Sequence, residues 1–318
     1  MQAQFNLGRW SLLDGTTATS PLYLPADHLV THGVVVGMTG SGKTGLLTVL
    51  AEEALRNGIP VIAIDVKGDL PNLLLSIPDF SAESIAPWVE PDHSPVQAAA
   101  ERKQVMEAWG VTEADVGNFA TRTDVRIVTP GATIGEPLHV LSMLERRSSR
   151  WDTDPEAARD ALSAAVSLVL RLIGRDPDPA RSKEHVLLRV LAERRLAAGK
   201  DAELGQLMQD VMDPPLDRIG ALPVDSFLKR AERKNLAAAL NTLLASPSFT
   251  RWRQGASLDV AAWLKPRNGR TPAVIVSVAN PPTKRPMVAL MRQARGFGVG
   301  VVVATQNLGR RCVCCVGR

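Results

Sequence analysis

The residues best suited to chemistry stand together at Gly37-Met38-Thr39-Gly40-Ser41-Gly42-Lys43-Thr44, a fit to G-x-x-x-x-G-K-[ST]. Each residue type answers a need of phosphate binding. Glycines let a backbone turn sharply enough for several N–H groups to converge on phosphate oxygens. A helix beginning at the end of such a turn adds a dipole that favours an anion. The Lys43 ammonium suits β- and γ-phosphates, and the Thr44 hydroxyl suits the oxygen shell of Mg²⁺. The competing interpretation is a glycine-rich turn without a ligand. Context favours the phosphate loop, because an apolar strand precedes it and an amphipathic helix follows, as the motif requires.

Two other strand ends carry polar groups. Val61-Ile62-Ala63-Ile64 runs into Asp65-Val66-Lys67-Gly68-Asp69. Asp65 either holds Mg²⁺ through water or caps the loop that leaves the strand. Asp65 and Gly68 also spell D-x-x-G, but no N-K-x-D guanine reader occurs, which argues against a GTPase. The apolar run 299–304 ends at Thr305-Gln306, and a strand-end Gln306 can sense a γ-phosphate or orient water. Arg292 and Arg295 precede that run, either on a solvated helix face or as contacts to a neighbour's nucleotide.

What is missing carries equal weight. ATP hydrolysis of this kind needs one carboxylate to position metal and another to activate water. The apolar strand Ala273 to Val278 is followed by Ala279-Asn280-Pro281-Pro282, and no carboxylate side chain occurs after Asp259. An acid from earlier in the chain, such as Asp65, would have to substitute. Neither His28 and His32 nor the terminal Cys312, Cys314 and Cys315 make a convincing metal set. His185 lies in the first turn of a helix and reads as a structural hydrogen-bonder.

The elements that must position these groups follow from periodicity. Val34-Val35-Val36 is a β-branched run. Thr44 to Asn57 has helical spacing at Leu46, Leu47, Leu50, Ala54 and Leu55, with Gly58 as its stop. From about Ser81 to Ser246 the texture is mostly helical, with a lone strand at Val125 to Val128. Thr112 and Asp115 resemble a capping box, and Asp154-Pro155 is an N-cap followed by proline. Helices are expected over Ser182–Gly199, Asp201–Met212 and Asp225–Ala245. Strands return at 273–278 and 299–304, with an amphipathic helix at Pro286–Phe297 between them. The fold class is therefore α/β, with a parallel sheet built from both ends of the chain and a helical block between.

Composition sets outer limits. The chain has 318 residues, 45% hydrophobic and 22% charged, in the globular range. The longest apolar run, Ala161 to Leu170, stops at Arg171 and falls short of a membrane span. The N-terminal residues lack the order of a signal peptide, so a cytoplasmic setting with no membrane is expected. Net charge is +4, but residues 308–318 hold three arginines, no acid and all three cysteines, so most of the basicity belongs to that tail.

Taken together, the motifs resemble the HerA-like branch of the HerA/FtsK P-loop ATPases. The resemblance runs from about Pro21 to Asn307. It is carried by Thr31 to Leu46, which spans the phosphate loop and Gly45, by Asp65-Val66-Lys67-Gly68-Asp69-Leu70, and by Ser182 to Leu188. Near the end it rests on Asn280 to Pro286, Arg292-Gln293-Ala294-Arg295 and Ala304-Thr305-Gln306-Asn307. It implies a RecA-like P-loop NTPase sheet with a large helical insertion, ATP and Mg²⁺ as ligands, a homo-oligomeric ring, and ATP-driven movement on double-stranded DNA. Gln306 matches the family's polar strand-end residue.

Against the family's pattern the core looks incomplete. The strand that carries Asp-Glu, placed by the family between the matches to Val278 and Asn280, is absent, and 308–318 does not resemble the family. The expected organisation is an N-terminal part of the ATPase core at 1–80, a helical insertion at 81–260, a C-terminal part of the core at 261–307 and an atypical tail at 308–318. Hydrolysis is expected to be impaired. Alternatives are a non-hydrolysing nucleotide-binding remnant or gene fragment and, further off, a small-molecule kinase. A lost central strand should also leave a gap in the sheet and expose apolar surface.

Overall fold

Strand, glycine loop and helix follow one another where the residue pattern puts them, in a computed structural model that describes residues 3–12, 14, 17–30, 33–65, 68, 70–74, 76–132, 134–277 and 302–305. An antiparallel hairpin, β1 (Gln4–Ser11) and β2 (Thr17–Pro25), comes first. It is not legible in the sequence, because register shifts between Asn6 and Arg9 and between Arg9 and Ser11 scramble the two-residue alternation. β3 (Gly33–Val36) leads through the phosphate loop to α1 (Lys43–Arg56), and β4 (Val61–Asp65) follows. Gly58 takes a left-handed φ of 74° and donates its N–H to Leu55 O at 3.0 Å, which ends α1 as expected.

Next come α2 (Ala82–Ile85), α3 (Pro95–Ala108) and α4 (Glu113–Arg122). The Thr112–Asp115 capping box is present: Asp115 N–H donates to Thr112 Oγ1 at 3.2 Å, and Thr112 N–H to Asp115 Oδ2 at 2.8 Å. β5 (Thr123–Thr129) and β6 (Glu136–His139) precede a helical stretch. This comprises α5 (Ser142–Glu145), α6 (Arg150–Thr153), α7 (Pro155–Leu172), α8 (Lys183–Ala197) and α9 (Leu204–Met212). A small hairpin, β7 (Arg218–Ile219) and β8 (Leu222–Pro223), is followed by α10 (Val224–Phe227), α11 (Arg230–Leu244) and α12 (Pro247–Trp252). β9 (Ala256–Ser257), α13 (Val260–Trp263), β10 (Thr271–Ser277) and β11 (Val302–Thr305) complete the order.

Two compact units divide these elements. The first holds the described residues up to Ile127, Ala261–Val276 and Val302–Thr305. Its β10 lies between β4 and β5 and is buried from Pro272 through Val276, the pattern of a strand covered on both faces. Ala273 and Ile275 share one of those faces. There they pack on α1 through Leu55 and Ala51, with Phe119 and Leu73 beside them. β11 pairs in parallel with β3, from Val302↔Gly33 to Thr305↔Val36, so strands from distant parts of the chain do meet. Among the described residues, however, β3 and β11 form a two-stranded sheet of their own. Val34 and Val36 are 57% and 51% exposed, unlike the buried residues of β10.

The second unit holds Val128–Val260 and Ser277. In it the end of β5 pairs in parallel with β6, and β6 with β9. The lone strand expected at Val125 to Val128 therefore has a partner; β6 and β9 are too short for periodicity to reveal. Four helices supply the largest share of the core. Leu162, Val166 and Val169 of α7, Leu187 and Leu191 of α8, Leu204 and Leu207 of α9, and Leu236 and Leu240 of α11 are at most 1% exposed. Each set recurs at three- or four-residue spacing, which puts it on one helix face. Full burial of each such leucine stabilises by about 1.5–3 kcal/mol.

Two helix boundaries differ from expectation. Asp201 does not begin α9; its carboxylate accepts the Arg147 N–H at 2.9 Å, and the helix starts at Leu204. The helix expected over Asp225–Ala245 is broken at Leu228 and Lys229. Leu228 turns extended and is buried at 3% exposure, and Glu232 then caps α11 by accepting the Lys229 N–H at 2.9 Å.

Candidate phosphate site

The glycines of the loop serve different physical needs. Gly40 and Gly42 both have φ near 80°, a left-handed conformation that side chains disfavour. Gly42 is also the N-cap of α1, so the chain reverses there into the helix. At Gly37 a Cβ would overlap Ser41 Oγ, so that hydroxyl would have to turn away to admit one. Gly45, in the first turn of α1, is under no such constraint, since a Cβ there meets nothing within 4 Å.

Lys43 folds back over the loop. Its Nζ donates to the Met38 carbonyl and lies 3.5 Å from Ser41 Oγ, while the Ser41 N–H donates to the same carbonyl at 3.2 Å. Met38 itself is 81% exposed, so the loop stands at the surface. Thr44 follows Lys43 in the first turn of α1, and its carbonyl accepts the Thr48 hydroxyl at 3.0 Å. The loop therefore gathers a cation, a hydroxyl at the helix start and a backbone held by glycine, which is the donor set a polyphosphate requires.

Asp65 ends β4 and is 4% exposed. Its Oδ1 accepts the Gly68 N–H at 2.8 Å and its Oδ2 the Leu70 N–H at 3.2 Å. The loop-capping interpretation thus holds in the structure, and any metal role for Asp65 adds to it. Gln306, Arg292, Arg295, His32, the Val278 junction and the cysteine-bearing tail lie outside the described residues. Among the described residues no group of three or more His, Cys, Asp and Glu side chains could hold a metal ion. No described helix is long and apolar enough to cross a membrane.

His185 is a buried structural residue, as expected. Its Nε2 meets the Ser163 carbonyl at 3.1 Å, and burial pushes the imidazole pKa down, only partly opposed by that bond.

The sequence gives no hint of a second polar cluster, in the helical unit. Glu145 is 1% exposed, yet its Oε2 accepts from His139 Nε2 at 2.7 Å and Arg253 Nε at 2.9 Å. Its Oε1 accepts the Leu204 N–H at 2.9 Å, which makes it the cap of α9. Burial by itself raises the Glu145 carboxyl pKa; the hydrogen bonds from His139, Arg253 and Leu204 outweigh it and hold the pKa below its ordinary value. Its partners come from residues 6, 59 and 108 positions away, beyond any local pattern.

Residues 11–88, which include the phosphate loop and Asp65, match the family described as "Helicase HerA-like C-terminal". Two solved structures of the bacterial conjugative coupling protein TrwBdeltaN70 are among the matches to the chain. The trigonal form, in complex with sulphate, has 15% identity and a TM-score of 0.44 over 94% of this chain and 68% of that one. The unbound monoclinic form has 16% identity and a TM-score of 0.44 over 92% of this chain and 65% of that one. No curated protein sequence matches the chain.

Proposed function

We propose that this chain, whose residues 11–88 match the family described as "Helicase HerA-like C-terminal", is a P-loop ATPase of that kind and binds ATP with Mg²⁺ at Gly37–Gly45. The observation that carries this reading is the phosphate loop itself. Gly40 and Gly42 are left-handed, and the Lys43 ammonium lies over the turn.

In this reading the amides of the loop and of the first turn of α1 orient the phosphates, and Lys43 exchanges its intramolecular acceptors for phosphate oxygens. Thr44 and Asp65 would hold Mg²⁺, which when bound offsets negative charge on the β- and γ-phosphates. Gln306 would sense the γ-phosphate. Double-stranded DNA as partner, a homo-oligomeric ring and a cytoplasmic setting belong to the same reading by family likeness.

Turnover is proposed to be impaired, because the sequence after β10 reads Val278-Ala279-Asn280-Pro281 rather than a pair of acids. A working ATPase with Asp65 as its metal carboxylate is the second reading, favoured by the burial of Asp65 at a strand end.

Fluorescent ATP binding and phosphate release, with and without duplex DNA, separate the two. Binding that is lost in Lys43→Ala, with negligible turnover, supports the first. Mg²⁺-dependent turnover that disappears in both Lys43→Ala and Asp65→Ala supports the second. No ATP binding at millimolar concentration overturns both.

A further inference from the structure

The buried Glu145 carboxylate fixes an arginine whose terminal donors have no partner among the described residues. Arg253 spends its Nε–H on Glu145 Oε2 at 2.9 Å, and its side chain is 27% exposed. Among the described residues, Nη1 and Nη2 of Arg253 have no protein partner. Arg146, the next residue after Glu145, reaches the same turn. Its Nη1 donates to the Gly255 carbonyl at 3.0 Å and meets Ser257 Oγ at 3.3 Å. Among the described residues, Arg146 has no carboxylate partner.

The turn that carries Arg253 and accepts hydrogen bonds from Arg146 is held firmly. Gly255 has φ 96°, and a Cβ there would overlap the Pro137 carbonyl. The Val140 N–H donates to Trp252 O at 2.9 Å, and the Leu258 N–H to Ser142 Oγ at 2.8 Å. Ala256 and Ser257 pair with Leu138 and His139. Of the two guanidiniums only that of Arg253 is paired with a carboxylate, so positive charge is left over, and Arg251 is exposed two residues before Arg253. A guanidinium with spare coplanar N–H donors matches the oxygens of a phosphate, and a rigid support lowers the cost of ordering it.

We propose that Arg146 and Arg253 form a preorganised phosphate site on the helical unit, separate from the phosphate loop, and that its ligand is a phosphodiester of a nucleic-acid backbone. The choice of phosphodiester rests on the DNA-partner reading above; the phosphate chemistry does not.

The test uses the full chain and labelled duplex DNA, read by fluorescence anisotropy at several salt concentrations. Inorganic phosphate and ATP are titrated in parallel on the Lys43→Ala chain. Arg253→Lys keeps a charge for Glu145 but loses the fork, and Arg146→Gln loses the charge. Each is expected to weaken duplex binding about tenfold with an unchanged Tm, and Arg146→Gln also to lower the salt slope by about one. If phosphate or ATP binding falls in place of duplex binding, the site stands with a free phosphate as its ligand. If neither falls in variants that melt normally, the proposal is overturned.

Should the variants melt early, phenylglyoxal modification of the wild-type chain decides. Saturating duplex or phosphate must slow reaction at Arg146 and Arg253 relative to Arg181, which is 83% exposed. Equal rates at all three overturn the proposal. A chain that binds ATP without protecting these arginines fails here alone, and one that protects them without binding ATP fails only the nucleotide reading.

Discussion

Lys43, His185 and Glu145 are polar residues whose surroundings set what each can do. Replacing Lys43 with alanine removes one charge-assisted hydrogen bond to phosphate, worth about 1.5–3 kcal/mol. ATP affinity measured by titration should therefore fall about 10- to 100-fold, with Tm unchanged. His185 gives a pH dependence. Burial holds its folded pKa below the ordinary value of 6.5, so between the two values the unfolded chain binds more protons. Its contribution to stability is complete above about pH 6.5 and is lost as pH falls toward the folded pKa. Thermal melts from pH 7.5 to 5 should show Tm falling, with a smaller fall in His185→Gln. Glu145 acts in the same direction further down the scale. Its folded pKa is lowered, so its contribution is present above the unfolded carboxylate pKa and is lost as acid titrates the folded group. Breaking this buried pair by Glu145→Ala should cost about 3–5 kcal/mol, read as a lower denaturant midpoint.

At the scale of elements, local rules and tertiary contacts divide the work. α7 begins where the sequence says it should: the Asp154 side chain accepts the Ala157 N–H at 3.1 Å and Pro155 fills the first helical position. Asp154→Ala should cost about 1 kcal/mol, seen as a small drop in Tm. α9 shows the opposite case. Its start looks like Asp201, but the cap is Glu145, and Asp201 is spent on the Arg147 amide. The strands follow the same division. β10 is legible because it is apolar throughout, as a doubly covered strand must be. The hairpin of β1 and β2 is hidden by its bulges, and β9, two residues long, exists only because β6 lies beside it.

For the molecule as a whole, the two units rest on unequal cores. The helical unit has an extended cluster of fully buried leucines and valines, whereas among the described residues β3 and β11 form a two-stranded parallel pair with Val34 and Val36 exposed. Two strands alone are marginally stable. Amide hydrogen exchange should therefore be faster in β3 and β11 than in β10, α8 and α11; equal protection would contradict this difference in local stability. The sequence by itself determined the phosphate loop, because left-handed turns demand glycine and a helix start beside a lysine makes an anion site. It also determined the α/β character and most helices of the helical unit, because burial of one face imposes its period. Only the tertiary structure decided which strands pair, where α9 and α11 begin, and that Glu145 is a buried hub joining His139, Leu204 and Arg253. The reason is distance along the chain: hydrogen bonds and pairings between remote residues leave no period in the sequence, and they exist only after packing brings their partners together.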